Sequence, residues 1–175
     1  MGEALSEHPP SHSVIVLIGP SGSGKSTLAR ALAAHLGWNF VEGDEHHSPG
    51  NLQKLSAGVP LSGADRKPFL DSIGRTVAAS EEPVIVSCSA LQRGHREQLR
   101  SFAEDILFVW ADVPTDELER RMRGRPAHFM PPSLLADQLD TFEPPAPPEC
   151  FIRIDGTLPT AWQVAQIEQH LATLL

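Results

Sequence analysis

Apolar and polar positions along this chain change period in a regular order. Val14-Ile15-Val16-Leu17-Ile18 is an unbroken apolar run of strand length. A strand with no polar face has no side to show to water, so the run predicts a strand buried on both faces. From Ser26 to Leu36 the period becomes helical, with Leu28, Ala31, Leu32 and Leu36 on one face and Gly37 as a stop. Trp38–Val41 predicts a second strand, ending in Glu42-Gly43-Asp44. The polar stretch from Glu45 to Arg66 holds a short helix over Leu52–Ala57 and a turn at Gly58-Val59-Pro60. Phe69, Ile73 and Val77 recur every fourth residue and predict a longer helix over Pro68–Ser80, with Pro68 in its first turn. Val84–Cys88 repeats the buried-strand pattern. Helices over Leu91–Phe102 and Thr115–Arg123 flank a strand at Ile106–Ala111. Arg125–Pro132 breaks the pattern; Leu134–Leu139 is a short helix and Glu143–Glu149 a proline-rich connector. Phe151–Ile154 and Ala161–Leu174 close the chain as a strand and a helix.

Strands alternating with helices predict an α/β fold of three layers, α/β/α, in which right-handed crossovers cover both faces of a parallel sheet. In such sheets a ligand sits beyond the carboxyl ends of the strands. That places Gly19–Ser26, Asp44 and Ser87-Cys88-Ser89 around one crevice.

Composition narrows the classes. The chain has 175 residues, enough for one domain, here read as residues 13–175 after a flexible tail of residues 1–12. A net charge of −8 argues against nucleic acid as a partner, which usually needs a basic face. Cys88 and Cys150 match neither a disulfide framework nor a zinc spacing, and packing is the better role for Cys88. No apolar run reaches the ~18 residues of a membrane span, and the first dozen residues lack a signal-peptide pattern, so a soluble cytoplasmic chain is expected.

The chemistry starts at Gly19-Pro20-Ser21-Gly22-Ser23-Gly24-Lys25-Ser26, which satisfies G-x-x-x-x-G-K-[ST] between a predicted strand and a predicted helix. Its glycines let successive N–H groups turn inward on phosphate oxygens, as Lys25 adds a point charge at the β- and γ-phosphates and Ser26 offers a hydroxyl to Mg²⁺. The helix start adds its dipole. Gly19, Ser21, Gly22, Ser23, Gly24, Lys25, Ser26 and Thr27 thus form the expected ATP site. Asp44 is placed to orient an acceptor hydroxyl and take its proton, or to hold Mg²⁺ directly or through water; a helix N-cap is the structural alternative. Adjacent His46 and His47 point apart and do not make a metal site; His47 suits substrate hydrogen bonding. Arg66, read as lying just before a helix, suits bidentate capture of a carboxylate or phosphate. The arginine run Arg120, Arg121, Arg123, Arg125 ends at Pro126. It predicts a lid over about residues 124–133, with Arg121 and Arg125 neutralising charge on a transferring phosphoryl group and Arg120 facing solvent.

Taken together these motifs resemble the gluconate kinases of the thermoresistant type, within the P-loop fold shared with shikimate and nucleoside-monophosphate kinases. The resemblance runs from Val14 to Leu174. It rests on the loop, on Gly43-Asp44-Glu45-His46-His47, Asn51–Leu55, Gly58–Leu61, Asp65–Leu70, Cys88-Ser89-Ala90-Leu91, His128-Phe129 and Gln138. Gln92 and His95 stand where the family has lysine and tyrosine, and Arg96 is retained. The resemblance implies a five-stranded sheet of order 2-3-1-4-5, ATP and Mg²⁺ as cofactors, and phosphoryl transfer to the 6-hydroxyl of D-gluconate by a homodimer. It also implies Lys25, Asp44 and Arg125 as catalytic groups, with Asp44, His47, Lys54, Arg66, Ser89, Arg96 and His128 around the sugar acid. The rival readings are another small-molecule kinase on this fold and an ATP-sensing regulatory module. Only Lys54 and Arg66 are cationic between Asp44 and Arg66, which suits one carboxylate better than a second nucleotide.

Overall fold

A computed structural model describes residues 12–125 and 130–174. Five parallel strands form one sheet: β1 (Val14–Ile18), β2 (Asn39–Glu42), β3 (Val84–Ser87), β4 (Ile106–Asp112) and β5 (Phe151–Asp155). Their order is β2-β3-β1-β4-β5, as the resemblance implies. The helices are α1 (Lys25–Leu36), α2 (Pro49–Ser56), α3 (Gly63–Ala78), α4 (Arg93–Arg100), α5 (Thr115–Arg123), α6 (Leu134–Thr141) and α7 (Thr160–Thr173), with a 3₁₀ turn at Gly43–His46.

Alternation along β1 divides the core. Val14, Val16 and Ile18 pack with Phe69, Leu70, Ile73 and Val77 of α3 and Leu99 of α4. Ile15 and Leu17 pack on the other side with Leu28 and Leu32 of α1 and Val164 and Ile167 of α7. Both faces of β1 are therefore covered, which is why its sequence shows no polar alternation. Beyond the strand ends, Leu118 and Met122 of α5 pack on Leu135 of α6, and Leu134 of α6 meets Leu55 and Leu61. These two small clusters carry the segments that surround the crevice.

Several predicted boundaries move. The long helix starts at Gly63, five residues before Pro68, because Ser62 and Asp65 make a capping box. Ser62 Oγ accepts the Asp65 N–H at 3.2 Å and the Asp65 carboxylate accepts the Ser62 N–H at 2.9 Å. Pro68 therefore lies inside α3, where it has no N–H to give the Ala64 carbonyl; the exposed start of the helix tolerates the loss. Arg66 accordingly sits on α3, not ahead of it. The short helix also begins early, at Pro49, with Ser48 as its cap over Asn51 N–H. Helix α4 shortens to Arg93–Arg100. Of the predicted tail only His12 is described, bonded through Nδ1 to the Asp105 carbonyl. His128 and the centre of the predicted lid, residues 126–129, lie outside the described residues.

Candidate active site

The loop after β1 closes around a cavity of about 350 Å³. Gly22 and Gly24 have φ of 84° and 85°, the left-handed region in which a side chain is strained, and a Cβ on Gly22 would press on the Leu118 carbonyl at 3.2 Å. The backbone can thus curl where other residues could not. Ser21, Gly22, Gly24, Lys25, Ser26 and Thr27 line the cavity. The Lys25 ammonium donates to the Pro20 carbonyl at 3.1 Å. Burial pushes its pKa down, and the Asp44 carboxylate opposes that shift. The Ser23 hydroxyl is buried with no hydrogen-bond partner among the described residues. Ser23, expected at the ATP site, is buried and does not line the cavity. Gly19 is not on the cavity wall; its N–H donates to the Ser89 carbonyl at 3.1 Å and ties the loop to the segment after β3.

The far wall is carboxylate-rich. At the end of β2, Gly43 is obligatory, since a Cβ there would stand 2.1 Å from the Ser87 carbonyl. That close approach turns the chain so that Glu42 and Asp44 both face the cavity. Glu42 is engaged: it accepts from Ser87 Oγ at 2.6 Å and from the Asp44 N–H at 3.4 Å. The capping task considered for Asp44 therefore falls to Glu42. Among the described residues no hydrogen bond engages the Asp44 carboxylate.

Asp44 also lines a second, smaller cavity of about 40 Å³, together with His47, Arg66, Phe69, Ser89 and His95. Asp44, Ser89 and Met130 belong to both walls, so the two cavities share a boundary. His47 stacks on Phe69 with ring centroids 3.9 Å apart, and burial lowers its pKa. Burial also lowers the Arg66 pKa, while Asp137 and Asp65 act against that shift. Ala90, at φ 37°, is the one described non-glycine residue with positive φ, and it sits in this wall.

Two predicted substrate residues are not brought to either cavity. Arg96 is fully buried, gripping Glu149 at 2.6 and 3.2 Å and the carbonyls of Ala90 and Leu91 at 3.0 and 3.4 Å. It holds the segment after β3 from behind and has no face open to a ligand. Lys54 gives its ammonium to Asp65 at 2.9 Å and lines neither cavity. The arginine run divides as expected at one end: Arg120 is exposed and paired with Glu117. Arg121 instead reaches the Gly22 and Gly156 carbonyls at 3.2 and 2.9 Å, bracing the loop. Arg125 and Met130, on either side of residues 126–129, line the larger cavity. Cys88 is packed, its thiol pushed by burial to about 12.

Sequence reasoning placed Ser87 at the crevice, where it lines the larger cavity, and missed Glu42 and Arg30 on the phosphate side and Phe69 on the acceptor side. Glu42 had a local signal, since it ends β2 two positions before Asp44. Gln138 was noted only as part of a resemblance; its Oε1 accepts the Ser21 N–H at 2.7 Å and joins α6 to the loop.

A phosphate loop beyond β1, a free carboxylate beyond β2 and a small polar cavity across it define a P-loop small-molecule kinase. Residues 14–145 match the AAA domain family. A gluconokinase of Gluconobacter oxydans (strain 621H) is 47% identical over 146 residues, covering 81% of this chain and 82% of that one. The thermoresistant gluconokinase of Escherichia coli (strain K12) is 35% identical over 146 residues, with 82% and 83% covered. The crystal structure of a gluconokinase from Sinorhizobium meliloti 1021 superposes with a TM-score of 0.84 at 44% identity, covering 92% of each chain. The chain belongs to the gluconokinase family.

Proposed function

We propose that this protein transfers the γ-phosphoryl group of ATP to the 6-hydroxyl of D-gluconate, giving 6-phospho-D-gluconate and ADP. The observation that carries the reading is the shared wall: Asp44 borders both the phosphate-loop cavity and the cavity that holds Arg66. A hydroxyl beside Asp44 hydrogen-bonds to its carboxylate, and the proton passes to Asp44 as the oxygen attacks phosphorus. Lys25 and Arg125 face the cavity in which charge spreads over the transferring group, and Arg66 suits the acceptor's carboxylate.

The larger cavity also fits Mg²⁺. Its metal-competent groups are oxygens, Ser26 and the carboxylates of Asp44 and Glu42. Among the described residues no cluster of three or more His, Cys, Asp or Glu side chains could hold a metal alone. That combination suits a hard ion bound by one or two protein oxygens and otherwise by phosphates and water. When bound, Mg²⁺ neutralises charge on the β- and γ-phosphates.

The lid expected over about residues 124–133 belongs to the proposal, since Arg125 and Met130, on either side of residues 126–129, line the larger cavity. No described helix is long and apolar enough to cross a membrane, and the cytoplasm and a homodimer complete the proposal.

ADP release assayed over D-gluconate, related aldonates, shikimate and nucleoside monophosphates tests it. Turnover is expected with gluconate and to depend on Mg²⁺. Turnover with shikimate or a nucleotide and none with any aldonate overturns the assignment.

A further inference from the structure

His95 sits at the third position of α4 in an arrangement that fixes which nitrogen carries its proton. The backbone N–H of Gln92 donates to His95 Nδ1 at 3.2 Å. A nitrogen that accepts an N–H carries no proton of its own, so the neutral ring holds its proton on Nε2. A second proton is opposed by burial first and then by the charges of Arg66 and Arg96; Glu143 acts the other way, and the pKa falls to about 4. The imidazole is therefore a neutral, one-directional donor at physiological pH.

The ring lines the acceptor cavity with Arg66, Ser89, Leu91 and Asp44. Among the described residues no hydrogen bond engages Nε2. An N–H on a partly buried residue that lines a cavity, with no acceptor among the described residues, is a position that a ligand oxygen can fill.

Resting on the sugar-acid reading above, we infer that His95 is a substrate-binding residue whose Nε2–H donates to an oxygen of the sugar acid on the side held by Arg66. Arg66 supplies charge and two-pronged geometry, which any carboxylate satisfies. His95 supplies a single donor at a fixed position, which only an acceptor with an oxygen at that point satisfies, so it sharpens discrimination among aldonates.

Two conservative variants separate this role from a structural one. H95N keeps an acceptor near the Nδ1 position for the Gln92 N–H and loses the donor into the cavity. H95Q keeps a donor near the Nε2 position and loses the acceptor for Gln92. With wild type, H95N and H95Q assayed for ADP release, H95N is expected to raise KM for gluconate about tenfold, the loss typical of one hydrogen bond to a charged group. Its kcat and its KM for ATP stay within about twofold, and H95Q keeps KM within about threefold of wild type. Unchanged KM in H95N overturns the inference. So does a larger KM increase in H95Q than in H95N accompanied by a lower melting temperature, since His95 would then act only through the helix start. If wild type rejects gluconate, the functional assignment fails, and the same pair is assayed on whichever aldonate is turned over. If no aldonate is turned over, both readings fall.

Discussion

The phosphate-loop cavity and the acceptor cavity share Asp44 and Ser89, yet they are built in opposite ways. Six lining residues of the first come from one contiguous stretch, Ser21–Thr27. The second draws residues from the turn after β2, from α2, α3, α4 and α6, and from the segments before α3, after β3 and before α6. Backbone amides around a curled loop suit any triphosphate. Side chains gathered from separate elements suit one acceptor, and their positions depend on everything that packs behind them. Generic binding is written locally, and specificity is written in the tertiary structure.

Arg96 shows what that dependence involves. It is fully buried behind the acceptor wall and is paired with Glu149, whose carboxyl burial pushes up but whose bonds from Arg96 and Ala146 bring below its usual value. R96M leaves that carboxylate buried and unpaired, and breaking such a pair costs about 3–5 kcal/mol. A drop of that size in urea-unfolding free energy is expected; stability within about 1 kcal/mol of wild type would show that the pair does not hold the acceptor wall. A depressed carboxyl contributes stability above its unfolded pKa and loses it as pH falls through the folded value. The Glu149 contribution is thus present at neutral pH and disappears on acidification below the ordinary glutamate range.

At the shared wall, D44N keeps the shape and removes the proton acceptor. A kcat loss of about 10²–10⁴ is expected, with ATP binding by calorimetry little changed. A raised KM for gluconate at normal kcat would make Asp44 a binding group belonging to one cavity only. On the phosphate side, K25A should lower kcat by about 10²–10³ with an unchanged circular dichroism spectrum. Near-normal turnover would remove the phosphate loop from the chemistry.

The physical reason the first cavity was legible in the sequence, and the second less so, is range. The turn of Gly19–Ser26 is set by its own glycines, so an eight-residue pattern with a strand before it and a helix after it suffices, although Ser89, Gln138 and Arg121 brace the loop from distant positions. The layered parallel fold was equally readable, because β1 and β3 are apolar on both faces. Arg96 was misassigned because its partner Glu149 is 53 residues away, a pairing that no local pattern encodes. The start of α3 was a different failure. Ser62-Gly63-Ala64-Asp65 is a readable capping signal, and it outweighs the preference of Pro68 for a first helical turn. Lys54 looked like a free cation for substrate because its partner Asp65 lay inside that same capping box.

Two smaller effects sharpen the contrast. R125A should reduce kcat about tenfold while R120A is nearly silent, since Arg125 lines the phosphate-side cavity and Arg120 is paired in solvent. Equal small effects in both would show that no arginine near the predicted lid meets the transferring group. R66K keeps charge and loses the fork, so KM for gluconate should rise about fivefold with KM for ATP unchanged. A parallel rise in both constants would place Arg66 outside the acceptor cavity's own chemistry.

The central claim, that one carboxylate joins the two cavities for transfer to a primary hydroxyl, is tested most directly by proton-coupled phosphorus NMR of the product. With ATP, Mg²⁺ and D-gluconate, a phosphate monoester at a CH₂OH carbon couples to two protons and gives a triplet. That triplet, appearing with wild type and suppressed in D44N, is the expected result. A doublet from a secondary hydroxyl, or inorganic phosphate released without any ester, would contradict the account.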